Sequence, residues 1–251
     1  LEIIAHRGAS GSAPENTLAA IQHAIDIGVD SVEIDVRLSR DNEVYLMHDS
    51  KVNRTTNGGG HIRHLNSEII QKLDAGTWYD KKFEGEKVPM LSQVLNLCKG
   101  KTKLLIEVKS ADRNRYPLLC QKISDLIDEF DAYDWTTVQS FDTKVLHTFN
   151  WLNPKLSISK LVVYKFAISP IKIYFDEKLR RGNLLDFEYL IGINVDYRYV
   201  TQRLVDNLHA ADKKIFCWTA NKTRPMKRLL RLGVDGIITN YPEKLKLLVN
   251  K

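Results

Sequence analysis

From Ser31 to Asp49 apolar and polar residues alternate with a period of two. Val32, Ile34, Val36 and Leu38 fall on one side and Glu33, Asp35 and Arg37 on the other, which predicts a strand with one apolar and one charged face. A polar turn, Ser39 to Asn42, leads into Val44-Tyr45-Leu46-Met47-His48. The connection is too short for a parallel crossover, so the two strands are expected to form a hairpin. With Asp41-Asn42 as a two-residue loop, Asp35 faces His48; with Arg40-Asp41, Glu33 does. A three-residue loop shifts the register by one and breaks that pairing. Taken alone, the charged face is most simply the wet side of a hairpin.

The same grouping of ionisable residues recurs far along the chain. Ile3 to His6 reads as a short buried strand running into Arg7-Gly8-Ala9-Ser10-Gly11, a loop small enough for its backbone N–H groups to approach an anion. A helix is expected from Ser12–Pro14 to a glycine C-cap at Gly28. Residues 50–90 lack barrel-like strands and read as an insertion, either a lid or an inert elaboration, with a glycine loop at 57–60 and a short helix over Leu65–Leu73. In Leu104 to Lys109, Leu104, Ile106 and Val108 point one way and Leu105, Glu107 and Lys109 the other. Strand and helix patterns then alternate: strands at 136–140, 157–161, 192–196, 215–220 and 236–240, with helices from Asp142, Gln202, Arg224 and Pro242. This alternation predicts an α/β fold, a (β/α)8 TIM barrel formed by the single domain 1–251, in preference to an open Rossmann sheet. Nine candidate strands compete for eight places, so one lies outside the ring, at the 31–48 hairpin or at 157–161.

Composition narrows the classes. The 251 residues, 43% hydrophobic and 27% charged, suit one large soluble domain or two small ones. No apolar run reaches transmembrane length and no charged-then-apolar leader precedes the first strand, so a cytoplasmic location is expected. Cys98, Cys120 and Cys217, an odd number without partner motifs, read as reduced core residues. The net charge of +6 is concentrated in residues 201–251, which hold 11 Lys/Arg against 4 Asp/Glu. Arg224, Lys227, Arg228 and Arg231 follow i, i+3, i+4, i+7 spacing and form one helical stripe, read as a solvated face. Such a stripe is compatible with weak contact to an anionic membrane. Nothing resembles a nucleic-acid-binding motif, so no nucleic-acid partner is expected.

Closed into one barrel, Glu33, Asp35 and Glu107 project inward on neighbouring strands, joined by His6 and His48. Several carboxylates in a confined site repel one another unless a cation compensates them, and an oxygen-rich set suits Mg²⁺ or Ca²⁺. A zinc site using the histidines is the competing option. Arg7 and Lys109 add fixed positive charge suited to a phosphate. Two histidines, a cation and two basic groups make a phosphodiester-cleaving constellation, one imidazole deprotonating a nucleophile and the other protonating the leaving oxygen. Individually the pieces have plainer readings: Glu107 and Lys109 as a structural ion pair, Trp218 as core packing or as a wall for an alcohol. His23, His61, His64, His147 and His209 stand without such company.

Ten motifs together carry a family resemblance. His6-Arg7-Gly8, Pro14-Glu15-Asn16-Thr17, Glu33-Ile34-Asp35, His48-Asp49, Arg54-Thr55-Thr56-Asn57-Gly58, Val88-Pro89-Met90-Leu91, Ile106-Glu107-Val108-Lys109, Ser140-Phe141, Trp218-Thr219-Ala220-Asn221 and Asp235 to Asn240 occur in the order found in glycerophosphodiester phosphodiesterases. The match runs from Ile3 to about Glu243, and only Met90, where the family more often has Thr, departs from it. The resemblance implies a distorted (β/α)8 barrel with a small insertion after the third strand. It also implies one Mg²⁺ or Ca²⁺ on Glu33, Asp35 and Glu107, with His6 and His48 as the acid–base pair. Arg7 and Lys109 then meet the phosphate, with Asn16 and Trp218 as further substrate contacts. The implied reaction releases glycerol 3-phosphate through a cyclic phosphate from small diesters such as glycerophosphocholine or glycerophosphoethanolamine. Two alternatives stand beside it: a lysophospholipase D, for which Leu161 to Phe175 would form an apolar lip, and a barrel that binds phosphoesters without turnover.

Overall fold

The computed structural model describes residues 1–109, 114–162 and 188–250. Nine strands are present among them: β1 (Glu2–His6), β2 (Ser31–Leu38), β3 (Val44–Leu46), β4 (Lys103–Val108), β5 (Thr136–Ser140), β6 (Ser157–Val162), β7 (Gly192–Asp196), β8 (Lys214–Trp218) and β9 (Gly236–Thr239). The helices are α1 (Leu18–Ile27), α2 (Ser67–Ile70), α3 (Leu91–Cys98), α4 (Tyr116–Glu129), α5 (Thr143–Leu152), α6 (Gln202–Ala210), α7 (Thr223–Leu232) and α8 (Pro242–Val249). All strand pairings are parallel except β2 with β3, and β1 pairs with both β9 and β2, so eight strands close into the expected (β/α)8 barrel. The ninth strand, β3, hangs on β2 outside the ring. The 157–162 strand takes its place inside it.

Parity along the strands divides the core in two. Ile3, Ala5, Val32, Ile34, Val36, Leu104, Ile106 and Val108 face outward and are covered by the helices in the main apolar cluster. Inside, Ile4, Leu105, Phe216 and Ile238 form a separate plug with Trp218 against it. Above that plug the inward positions turn polar. In the β2–β4–β5 register Asp35 stands beside Glu107 and Glu107 beside Gln139, which brings residues more than 100 positions apart in the chain onto one layer. The apolar plug and the polar layer place the chemistry at the C-terminal ends of the strands.

Two local expectations are corrected. The hairpin loop has three residues, Arg40-Asp41-Asn42: Ser39 N–H donates to Glu43 O at 2.9 Å, and Val36, Arg37 and Leu38 face Leu46, Tyr45 and Val44. Asn42 takes the left-handed conformation (φ 67°) that closes such a loop, and the Ser39 hydroxyl bridges to Asp41. Asp35 therefore pairs with Met47, whose N–H donates to its carbonyl at 2.9 Å, and neither two-residue register is formed. The first helix also begins later than Ser12–Pro14. Asn16 has φ 56°, which no right-handed turn tolerates, so α1 starts at Leu18 under a Thr17 cap, whose Oγ1 accepts from Ala20 N–H. The expected C-cap at Gly28 is present, with φ 74°.

The insertion has its own small core of Tyr45, Met47, Val52, Ile62, Ile70, Leu73 and Val88. Only Ser67–Ile70 of the expected 65–73 helix is helical. Pro89 O, accepting from Leu46 N–H at 2.9 Å, returns the chain to the barrel. On α7 the basic stripe is solvated except at Arg228, which reaches the Tyr197 and Val200 carbonyls. The three cysteines are buried and free. Most of the 161–175 stretch read as an apolar lip lies outside the described residues. Among the described residues no helix is long and apolar enough to cross a membrane.

Candidate active site

Glu33, Asp35 and Glu107 are buried, and each offers an oxygen within 4.8 Å of the others. β2 supplies two and β4 the third, because the parallel register aligns Asp35 with Glu107. Each carboxylate is oriented from a different side. Asn16 clamps Asp35: its Oδ1 accepts from Asp35 N–H at 3.1 Å and its Nδ2 donates to Asp35 Oδ2 at 2.9 Å. Lys109 Nζ lies 2.8 Å from Asp35 Oδ1 and also pairs with Glu107. Glu33 accepts from Arg7 N–H at 3.0 Å and from Gln139 Nε2 at 3.4 Å. Gln139 is held in turn by Asn194, which also donates to Ser159 Oγ at 3.0 Å, a fully buried polar chain through the barrel.

The loop after β1 is shaped by two successive left-handed residues, Arg7 (φ 59°) and Gly8 (φ 77°). The cost at Arg7, about 1–2 kcal/mol, is offset by what the conformation brings together. Its N–H reaches Glu33, its Nε lies 3.1 Å from Asp35 Oδ2, and its Nη1 donates to Glu15 Oε1 at 2.8 Å. Of the amides in the loop expected to approach an anion, only the Gly8 N–H is without a partner among the described residues. The N–H groups of Ala9, Ser10, Gly11, Ser12 and Ala13 all bond to carbonyls of the protein, and that of Arg7 to Glu33.

Both histidines are held through Nδ1. His6 Nδ1 lies 2.7 Å from Asn240 Oδ1, and its Nε2 is 4.0 Å from Glu33 Oε2. Asn240 is itself steadied by Asn221, whose Oδ1 accepts from its N–H at 2.8 Å. His48 follows β3 rather than lying in it, which is how it escapes the register of the hairpin. Its carbonyl accepts from Arg37 Nε and Nη2 at 3.1 and 2.6 Å, and its Nδ1 lies 2.7 Å from Asp49 Oδ1. With Nδ1–H donating in each case, Nε2 is left as the basic atom.

Electrostatics separates these groups. Burial, then repulsion from Asp35 and Glu107, pushes the Glu33 carboxyl well above its ordinary value. Burial followed by the Asp35 charge lifts Glu107 to about 7. At Asp35 burial acts upward too, but Lys109 and Arg7 override it and hold the group low. Burial and the charge of Arg7 bring His6 down to about 4, and burial lowers His48. Three confined carboxylates of which two resist ionisation, with Asp35 Oδ1 lacking a hydrogen bond of good geometry, fit a hard divalent cation. The three converging donors are all carboxylate oxygens and no histidine nitrogen joins them, which suits a hard cation better than zinc.

The expected residues are distributed as follows. His6, Arg7, Glu33, Asp35, His48, Glu107 and Lys109 share one barrel mouth. Asn16, expected as a substrate contact, is buried with its carboxamide engaged by Asp35. Trp218 stands at the end of β8, its Nε1 donating to Asn194 O at 3.0 Å and its ring edge-on to Phe141 at 5.7 Å. Sequence reasoning left Glu15, Arg37, Gln139 and Arg54 without a role. Period-two parity from Asp35 and within β5 was a sufficient signal for Arg37 and Gln139. Glu15 and Arg54 meet only in the folded chain.

A closed parallel barrel with this acidic, two-histidine mouth defines a phosphoester-processing enzyme, and comparison with known proteins gives the family. Residues 6–244 match the model of the glycerophosphoryl diester phosphodiesterase family. A glycerophosphodiester phosphodiesterase of Caldanaerobacter subterraneus is 35% identical over 99% of this chain and 98% of its own, and one of Bacillus altitudinis is 31% identical over 97% and 96%. The structure of an Oleispira antarctica phosphodiesterase, solved with its product sn-glycerol-3-phosphate, superposes with a TM-score of 0.89 at 26% identity, covering 100% of this chain and 97% of that one. The chain belongs to the glycerophosphoryl diester phosphodiesterase family of enzymes.

Proposed function

We propose that this site hydrolyses small glycerophosphodiesters to glycerol 3-phosphate and an alcohol, with Mg²⁺ or Ca²⁺ held by Glu33, Asp35 and Glu107. The observation that carries the reading is the pairing of three converging buried carboxylates with two histidines, each held through Nδ1. A cation held by these three residues would neutralise the carboxylates and supply positive charge for the phosphodiester chemistry. The chain's own residues move the protons.

Burial and the charge of Arg7 outweigh the hydrogen bond to Asn240 and favour the uncharged His6 ring, so it serves as base toward the glycerol hydroxyl next to the phosphate. That oxygen bonds to phosphorus as the bond to the alcohol oxygen breaks, giving a cyclic phosphate. Burial lowers His48 as well, but Asp35 and the Asp49 carboxylate on its Nδ1 oppose that and favour the protonated ring, so it delivers the proton to the departing alcohol. Water then opens the ring with the two roles reversed. Lys109 and Arg7 provide fixed positive charge for the phosphate, and Trp218 with Phe141 forms a wall at the mouth.

Glycerol 3-phosphate release from glycerophosphocholine tests the reading. Metal-stripped protein should be inactive, Mg²⁺ or Ca²⁺ should restore it, and His48→Ala should lower kcat by about 10²–10⁴. Turnover of lysophosphatidylcholine at comparable kcat/KM would favour the lysophospholipase D alternative. Failure on every diester and lysolipid with either ion would leave a binding protein without turnover.

A further inference from the structure

Beside the carboxylate cluster a cavity of about 290 Å³ opens between the C-terminal ends of β2 and β4, the insertion and the start of α4. Its charged walls are Arg37, Arg63, Lys109 and Arg115, and Tyr116 and Leu119 line it from α4. The arginines are not neutralised. Arg37 bonds to the His48 carbonyl, Arg115 to Ser39 O and Asn42 Oδ1, and Arg63 to His64; among the described residues none of the three pairs with a carboxylate. The positive end of the 14-residue α4 helix adds to the same field. Lys109 is already paired with Asp35 and Glu107, so it is the three arginines, gathered without a carboxylate partner among the described residues, that create a positive potential an anion relieves.

Two of the walls lead straight to the reaction centre. Lys109 Nζ is 2.8 Å from Asp35 Oδ1, and Arg37 holds the backbone of His48. A second cavity, between Asn16, His48 and Thr55, does touch a catalytic histidine, but its volume is only about 10 Å³. A phosphodiester centred on the carboxylates and Lys109 therefore has room for a second ester arm on the Arg37–Arg115 side.

We propose that this cavity seats the leaving alcohol and selects alcohols that carry an anionic group of their own, a carboxylate or a second phosphate. The inference rests on the diester hydrolase reading above, and adds to it the charge class of the substrate.

Glycerophosphoserine and glycerophosphoethanolamine differ by one carboxylate on the alcohol and form the matched test. Metal-loaded protein should show kcat/KM about tenfold or more higher for the serine diester, the effect of one charge-assisted hydrogen bond. That ratio should fall toward one in Arg63→Gln and in Arg115→Gln. Arg63 is exposed, so its variant tests the cavity even if Arg115→Gln disturbs the hairpin loop that Arg115 supports. A wild-type ratio of one or below, or a ratio unmoved by Arg63→Gln and by a folded Arg115→Gln, overturns the subsite while leaving the hydrolase reading intact. Turnover of neither diester overturns the hydrolase reading and the subsite with it.

Discussion

Arg54 and Glu15, 39 residues apart, meet in a two-bonded fork, Nη1 on Oε2 and Nη2 on Oε1, each at 2.8 Å. The fork is the centre of a longer chain of charges. From Arg54, Nε reaches Asp49 Oδ2 at 2.7 Å and Asp49 holds His48; from Glu15, Arg7 leads to Asp35. The insertion is thereby tied to the barrel at the point where it presents His48 to the carboxylates.

Arg54→Ala is expected to lower kcat by about 10–100-fold, the usual cost of losing a residue that orients a first contact. Arg54→Lys, which cannot form the fork, should recover only part of it. Steady-state kinetics on glycerophosphocholine checks this, since loss confined to KM would assign Arg54 to substrate binding instead.

Divalent cation should stabilise the fold through Glu107. At an ion concentration a hundredfold above Kd the linkage is about 2.7 kcal/mol, which raises Tm by roughly 5–10 °C for a chain of this size. Thermal unfolding with and without Mg²⁺ should show the shift in the wild type and its loss in Glu107→Gln.

In the metal-free protein the same residue gives a pH signature. Glu107 is raised from the ordinary carboxylate range to about 7, so its favourable contribution is complete below about pH 4 and is lost as pH rises through 7. Glu107→Gln removes that dependence. Chelator-treated wild type should therefore lose stability relative to this variant between pH 5 and 8, as read by denaturant midpoints; a constant difference would show that Glu107 keeps an ordinary pKa.

Gly8→Ala should be severe. Gly8 has φ 77°, and an added Cβ would lie 2.6 Å from the backbone carbon of Ala20 and 2.7 Å from its Cβ. Strain and overpacking together predict a loss of about 3 kcal/mol or more, measurable by urea unfolding, with activity falling further because Arg7 is displaced.

Local pattern alone determined a good part of this protein. Alternation in 31–38 and 104–109 put Glu33, Asp35 and Glu107 on the faces that become the barrel interior, because side-chain parity in a strand does not depend on its partners. Alternating strand and helix segments specified the barrel, and the ordered motifs specified the family. Tertiary structure decided what depends on partners and on loop geometry. Ser39 to Glu43 permits either a two- or a three-residue loop, and only the folded hairpin, with Asn42 left-handed, selected the latter. His48 reached the site by leaving the strand, Asn16 bonded to Asp35, and Glu15 found Arg54. None of these has a period or a spacing to betray it, since each follows from how the insertion and the β1 loop close over the same end of the barrel.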